Sequence, residues 1–143
     1  MVVDQPPDVP RHRSGPVVIG YDGSRAAERA LTEAADLMAP RPALVVVVWE
    51  AGRPFEAAEW SAITLDVPVP TVDLRTAIEL DQEAYASAER MAQRGAARAR
   101  SMGWSAESLV VADDMTVADT LVRVAREQDA PALVIGAHGH GTL

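Results

Sequence analysis

Four short, continuous apolar stretches divide the chain, and the segments between them carry helical spacing. Residues 17–21 (VVIGY) form the first stretch and predict a buried strand. Asp22-Gly23-Ser24 stops it, Ser24 being a good N-cap. Residues 25–38 then place Leu31, Ala34, Ala35 and Met38 on one helical face, and Pro40 and Pro42 close that helix. Residues 44–49 (LVVVVW) are β-branched and unbroken, the pattern of a parallel strand covered on both faces. The connection 50–72, with Gly52, Pro54, Pro68 and Pro70, is longer than a tight turn needs and reads as a functional flap or a mobile loop.

A long helix is predicted over about 73–101. Ile78, Tyr85, Ala92 and Ala99 recur every seven residues, and Ala88, Gly95 and Met102 interleave with them. Together they make a narrow, small-residue seam that fits a helix lying close on a sheet, and Gly103 ends it. Residues 108–112 (SLVVA) read as a third strand. Thr116 and Asp119 resemble a capping box, with Val117, Leu121, Val124 and Ala125 as the stripe of a helix to about Gln128. Residues 132–135 (ALVI) are the fourth strand, followed by the turn Gly136-Ala137-His138-Gly139-His140-Gly141. This β-α-β-α-β-α-β order predicts an α/β fold: an open, doubly wound parallel sheet with helices on both faces. Residues 1–14, with Pro6, Pro7 and Pro10, read as a disordered tail, and 15–143 as one α/β domain. The Arg11-His12-Arg13 run in the tail fits a solvated leader, or a contact with an acidic partner or lipid.

Composition removes several chemistries. All 13 basic residues are Arg against 21 acidic ones, for a formal charge of −8, and there is no Lys and no Cys. A P-loop lysine, Schiff-base chemistry, a disulfide framework, a thiolate metal site and a cysteine nucleophile are therefore excluded. The acidic balance argues against broad nucleic-acid binding. The longest apolar run, residues 43–49, is too short to cross a bilayer, and no secretory pattern opens the sequence, so a cytoplasmic protein without membrane partners is expected.

Ligands of doubly wound sheets bind beyond the carboxyl ends of the strands, where the winding reverses. The two turn-rich segments, Asp22-Gly23-Ser24 and residues 136–141, follow strands one and four. If those strands are neighbours, both turns face one crevice. The G-x-x-G-x-G turn could cradle phosphates through backbone N–H groups, or serve as a plain strand-to-helix turn. His138 and His140 offer a weak metal reading, and His138 an alternative donor to phosphate. Asp22 either caps the next turn, bonds a ribose or adenine edge, or holds Mg²⁺. Asp113-Asp114 fits a cation site, or a solvated pair ahead of a helix.

The segments V-V-I-G-Y-D-G-S at 17–24, L-V-V-V-V-W at 44–49 and V-I-G-A-H-G-H-G at 134–141, with their spacing, resemble the universal stress protein family over about residues 16–143. The resemblance implies an adenine-nucleotide alpha-hydrolase-like sheet in strand order 3-2-1-4-5. It points to the ATP-binding class, whose motif G-2x-G-9x-G-[S/T] is matched in its first half by Gly136 and Gly139. It implies nucleotide binding by Tyr21, Asp22, Val48, Ile135, Gly136, His138, Gly139 and Gly141, with ATP and Mg²⁺ as ligands and Asp22 near the metal indirectly. The sequence reaches Leu143 before the second half of the motif, the last helix and the fifth strand, which fits either truncation or omitted residues. A homodimer is implied if the fifth strand exists. The resulting expectation is a regulatory module binding Mg-ATP between strands one and four, at most a slow ATPase. The alternatives are a dimeric interaction protein that binds no nucleotide, and a nucleotidyl transferase, whose H-x-G-H or S-G-G-x-D signature is missing.

Overall fold

The computed structural model describes residues 13–50, 74–113 and 115–137. Its elements run β1 (Val17–Gly20), α1 (Arg25–Met38), β2 (Pro42–Trp49), α2 (Leu74–Ser101), β3 (Ser105–Ala112), α3 (Val117–Glu127) and β4 (Leu133–Val134). The four strands form one all-parallel sheet in the order β3-β2-β1-β4, as the resemblance implied for the strands present.

Strand alternation sends successive side chains to opposite faces, and the two faces hold separate cores. Val17, Ile19, Tyr21, Val45 and Val47 pack against α1 and α2, joined by Leu31, Ala92, Ala96 and Ala99. Val18, Leu44 and Val46 pack against Leu121, Val124 and Ala125 of α3. Such burial is worth roughly 2 kcal/mol for each fully covered Val or Leu side chain.

The strands are longer or shorter than their apolar runs. β3 starts three residues before the expected position, because Ser105, Ala106 and Glu107 pair with Pro42, Ala43 and Leu44. β3 is an edge strand, so polar side chains there need not be buried, and hydropathy gives no signal where backbone pairing begins. Tyr21 leaves the β1 ladder although its N–H still donates to Val46 O at 2.9 Å. β4 keeps only Leu133 and Val134, paired with Val18 and Ile19, which frees Ile135 for the rim.

Helix α2 follows the predicted bounds, but its seam is only half a core. Ala88, Ala92, Gly95, Ala96 and Ala99 are buried, whereas Ile78 and Tyr85 of the seven-residue row are 46% and 43% exposed. The helix spans about 42 Å and the eight-residue strand beneath it about 26 Å. Tyr85 meets the ring of Trp49, the last residue of β2, edge to face at 5.5 Å, so the turns before it reach past the strand. Gly95 sets the close approach: a Cβ there would lie 2.7 Å from Tyr21 Cδ1 and 2.9 Å from Val45 Cγ1. At the start of α3, Thr116 Oγ1 accepts from Asp119 N at 3.1 Å and donates to Asp119 Oδ2 at 2.8 Å, a cap closed within one side-chain pair.

Candidate functional site

Because β1 neighbours β4, the β1–α1 turn and the residues directly after β4, Ile135 and Gly136, share one rim. A cavity of about 220 Å³ opens there. Gly20, Tyr21, Asp22 and Ser24 form its side from β1 and the turn, and Val46 and Val48 its side from β2. Val117 and Leu121 of α3 face them, and Ile135 and Gly136 close the border after β4. The walls are mostly apolar, with Asp22 the acid among them.

The β1–α1 turn is tightly tied. Ser24 N donates to Asp22 Oδ1 at 2.9 Å, and Ser24 Oγ accepts from Ala27 N at 3.1 Å, capping α1. Gly23 sits between them at φ 77°, in the left-handed region that suits glycine. Asp22 is thus exposed at the cavity mouth beside the N-terminus of α1, the end that favours negative charge. Gly136 lies directly on that helix: a Cβ would come 2.6 Å from Ala26 C and 2.7 Å from Ala27 N. Both obstructing groups are backbone, so no side-chain movement could relieve the clash.

Tyr21, Asp22, Val48, Ile135 and Gly136 are therefore together at one rim. His138, Gly139 and Gly141, with His140 and Asp114, lie outside the described residues. Among the described residues no group of three His, Asp or Glu side chains could hold a metal ion. Asp113 is at the end of β3, where its N–H donates to Trp49 O at 3.0 Å.

Tyr21 has a second commitment that its position in the sequence does not reveal. Its hydroxyl donates to Glu28 Oε1, and Glu28 Oε2 accepts from Arg98 Nε and Nη2, both at 3.2 Å. Burial, then the hydrogen bond to Glu28 and the charge of that residue, push the Tyr21 hydroxyl up to about 12, against weaker pulls from Arg98 and Arg94. The ring belongs to the α1/α2 core while the residue borders the crevice.

Val117 and Leu121 also escaped the reading of the sequence as site residues, since their spacing marks them first as a core stripe. Leu121 is 3% exposed, but Val117 is 44% exposed although it opens the same stripe. Its place directly after the Thr116 cap was the available signal, because a helix that follows a strand starts at the carboxyl edge of the sheet.

An open parallel sheet wound on both sides, with a small apolar crevice beyond the carboxyl ends of β1 and β4, defines an α/β protein of the doubly wound class. The model of the universal stress protein family matches residues 14–143, and the chain belongs to that family. Three solved structures place the fold among its relatives. A universal stress protein from Archaeoglobus fulgidus in complex with dAMP is 25% identical, with 85% of this chain and 79% of that one covered at a TM-score of 0.57. A family protein from Burkholderia pseudomallei is also 25% identical, covering 90% and 86% at a TM-score of 0.55. A universal stress protein in complex with cAMP is 23% identical, covering 90% and 80% at a TM-score of 0.59, and shows the shared fold. No curated protein matches the sequence.

Proposed function

We propose that the crevice binds an adenine nucleotide, with Mg-ATP as ligand, and that the protein works as a regulatory module whose output is conformational. The observation that carries this reading is the meeting of Asp22 and Gly136, 114 positions apart in the sequence, on the border of one apolar cavity. The dAMP complex of the Archaeoglobus fulgidus relative supports the choice of an adenine ligand. Val48, Val117 and Leu121 supply an apolar slot that takes a planar base out of water, and Asp22 accepts from ribose hydroxyls. Gly136 lets the chain after β4 lie against the first turn of α1, where amide hydrogens and the helix dipole favour phosphate. His138, Gly139 and Gly141 follow in the sequence, and this reading assigns them to the nucleotide as well.

The residues present fit Mg²⁺ only as an ion carried by the nucleotide. Mg²⁺ commonly keeps several waters and uses one or two carboxylates with substrate phosphates. Asp22 is the carboxylate in the cavity wall and contributes through water. Without lysine, and with no paired base and nucleophile among the described residues, hydrolysis is slow at most. The protein acts in the cytoplasm as a homodimer in this reading. No helix among the described residues is long and apolar enough to cross a membrane.

Isothermal titration of the full chain with ATP and Mg²⁺ tests the proposal. Saturable heat that Asp22→Ala weakens is the expected result. Protein that purifies free of nucleotide and gives no heat overturns it, leaving an interaction role for the dimer.

A further inference from the structure

The larger cavity lies on the other side of the β1–α1 turn. It is a groove of about 650 Å³ between α1 and α2, and it shares Tyr21 and Asp22 with the crevice. Its walls combine the apolar surfaces of Met91 and Ala97 with the side chains of Arg94, Arg98 and Glu28. A neighbouring cavity of about 380 Å³ is lined by Arg90 and again by Arg94 and Ala97. Arg90, Arg94 and Arg98 stand four residues apart and so form one row along α2.

This row is unusual for the chain that carries it. The protein has a formal charge of −8, yet residues 88–101 hold four arginines against one glutamate. Complementing the helix dipole accounts for cations in the last turn, where Arg98 and Arg100 are, and the effect fades within that turn. Arg100 is further explained by its Nε donating to Ala106 O at 2.9 Å, and Arg98 by Glu28. Arg90 and Arg94 lie beyond the dipole's reach, and neither has a hydrogen bond or ion pair among the described residues. Of the two acids that line the groove, Glu28 is paired with Arg98 and accepts from the Tyr21 hydroxyl. Asp22 turns one carboxylate oxygen into its own turn toward Ser24 N.

We propose that the α1–α2 groove is a second binding site, for a small phosphate ester with an apolar body. The phosphate lies on Arg94 and on the guanidinium N–H groups that Arg98 does not spend on Glu28. The body covers Met91 and Ala97. Arginine suits this task, since its fixed fork of donors matches phosphate oxygens. The volume is in the range of small-molecule pockets rather than of a protein interface. The site does not depend on what the crevice binds, but the shared Asp22-Gly23 segment lets an occupant of one alter the other.

The test is an NMR titration of the full chain with phenyl phosphate, following the arginine Nε–H signals and the amides of Gly23 and Met91. Saturable shifts at Arg94, Arg98 and Met91 are expected, with affinity above that for inorganic phosphate. Arg94→Gln, at an exposed position, should keep the fold by circular dichroism and lose about tenfold in affinity, the size of one charge-assisted contact. Shifts that never saturate, that persist unchanged in Arg94→Gln, or that match inorganic phosphate overturn the proposal. Shifts confined to Val117 and Gly136 assign the probe to the crevice and also overturn it. A glutamate-rich peptide that outcompetes phenyl phosphate along Arg90, Arg94 and Arg98 replaces the small ligand by an acidic protein partner. A parallel Mg-ATP titration read at Val117 and Gly136 reports on the crevice separately.

Discussion

The two cavities beside the β1–α1 turn differ in nearly every respect, though both border Tyr21 and Asp22. The crevice is about 220 Å³, apolar, and walled by strand ends and α3; the groove is about 650 Å³, arginine-rich, and walled by two helices. The difference traces to the two-residue period of β1. Gly20 faces α3, where a Cβ would stand 2.8 Å from Leu121 Cδ1, so the Leu121 side chain takes the place a side chain at position 20 would need. Tyr21 faces α1 and α2, fills the space under Gly95, and turns its hydroxyl to Glu28. One side of the strand end thus sets bare backbone against the apolar Leu121, and the other sets a tyrosine among charged side chains. Successive residues at the end of β1 meet different surroundings because their side chains cannot point the same way.

The largest effect that separates the two cavities is expected from Gly136→Val. The new side chain would meet the backbone of Ala26 and Ala27, which cannot rotate aside. A stability loss of about 3 kcal/mol is expected by urea denaturation, at the upper end of overpacking costs. ATP heat should vanish with it, while phenyl phosphate still shifts Arg94. Loss of both responses in a variant that remains folded would mean that the cavities are one site.

Val117→Ser is a milder cut at the crevice alone. Val117 is 44% exposed, so the change should move stability by no more than about 0.5 kcal/mol. Removing apolar surface from the wall proposed to take the base should weaken ATP about threefold to tenfold by calorimetry, in line with about 1 kcal/mol for a buried methyl group. Unchanged affinity would take α3 out of the crevice.

The crevice was more legible in the sequence than the groove. Apolar runs bounded by Gly, Pro and Asp gave the strands, and the parallel alternation put both turns at the carboxyl edge. Turn residues are local signals, so Asp22 and Gly136 could be picked out from neighbours within a few positions. The groove depends on Tyr21, Glu28 and Arg98 meeting across three elements, and 70 positions separate the last two. No local pattern encodes that distance. The row Arg90, Arg94, Arg98 was visible as spacing, but the small-residue seam on the same helix drew the reading. Ile78 and Tyr85 misled in a related way: a seven-residue repeat reports a helical face, not whether a strand lies beneath it.

The smallest effect tests the wiring of Tyr21. In a Tyr85→Phe background only Tyr21 contributes a phenolate absorbance, since the chain has two tyrosines. Its titration midpoint is expected near 12, above the ordinary 10.0. The raised value means that the fold favours the protonated hydroxyl. The stability from this preference is fully present below pH 10 and is lost as pH rises through about 12. Denaturant midpoints of this background should therefore fall across that window more than those of the same protein carrying Tyr21→Phe. Glu28→Gln removes the charge and weakens the hydrogen bond but leaves the burial, which is the leading cause. The midpoint should then move down yet stay above 10.0. A midpoint at 10.0 with Glu28 intact would show that Tyr21 is neither buried nor bonded to Glu28 as described.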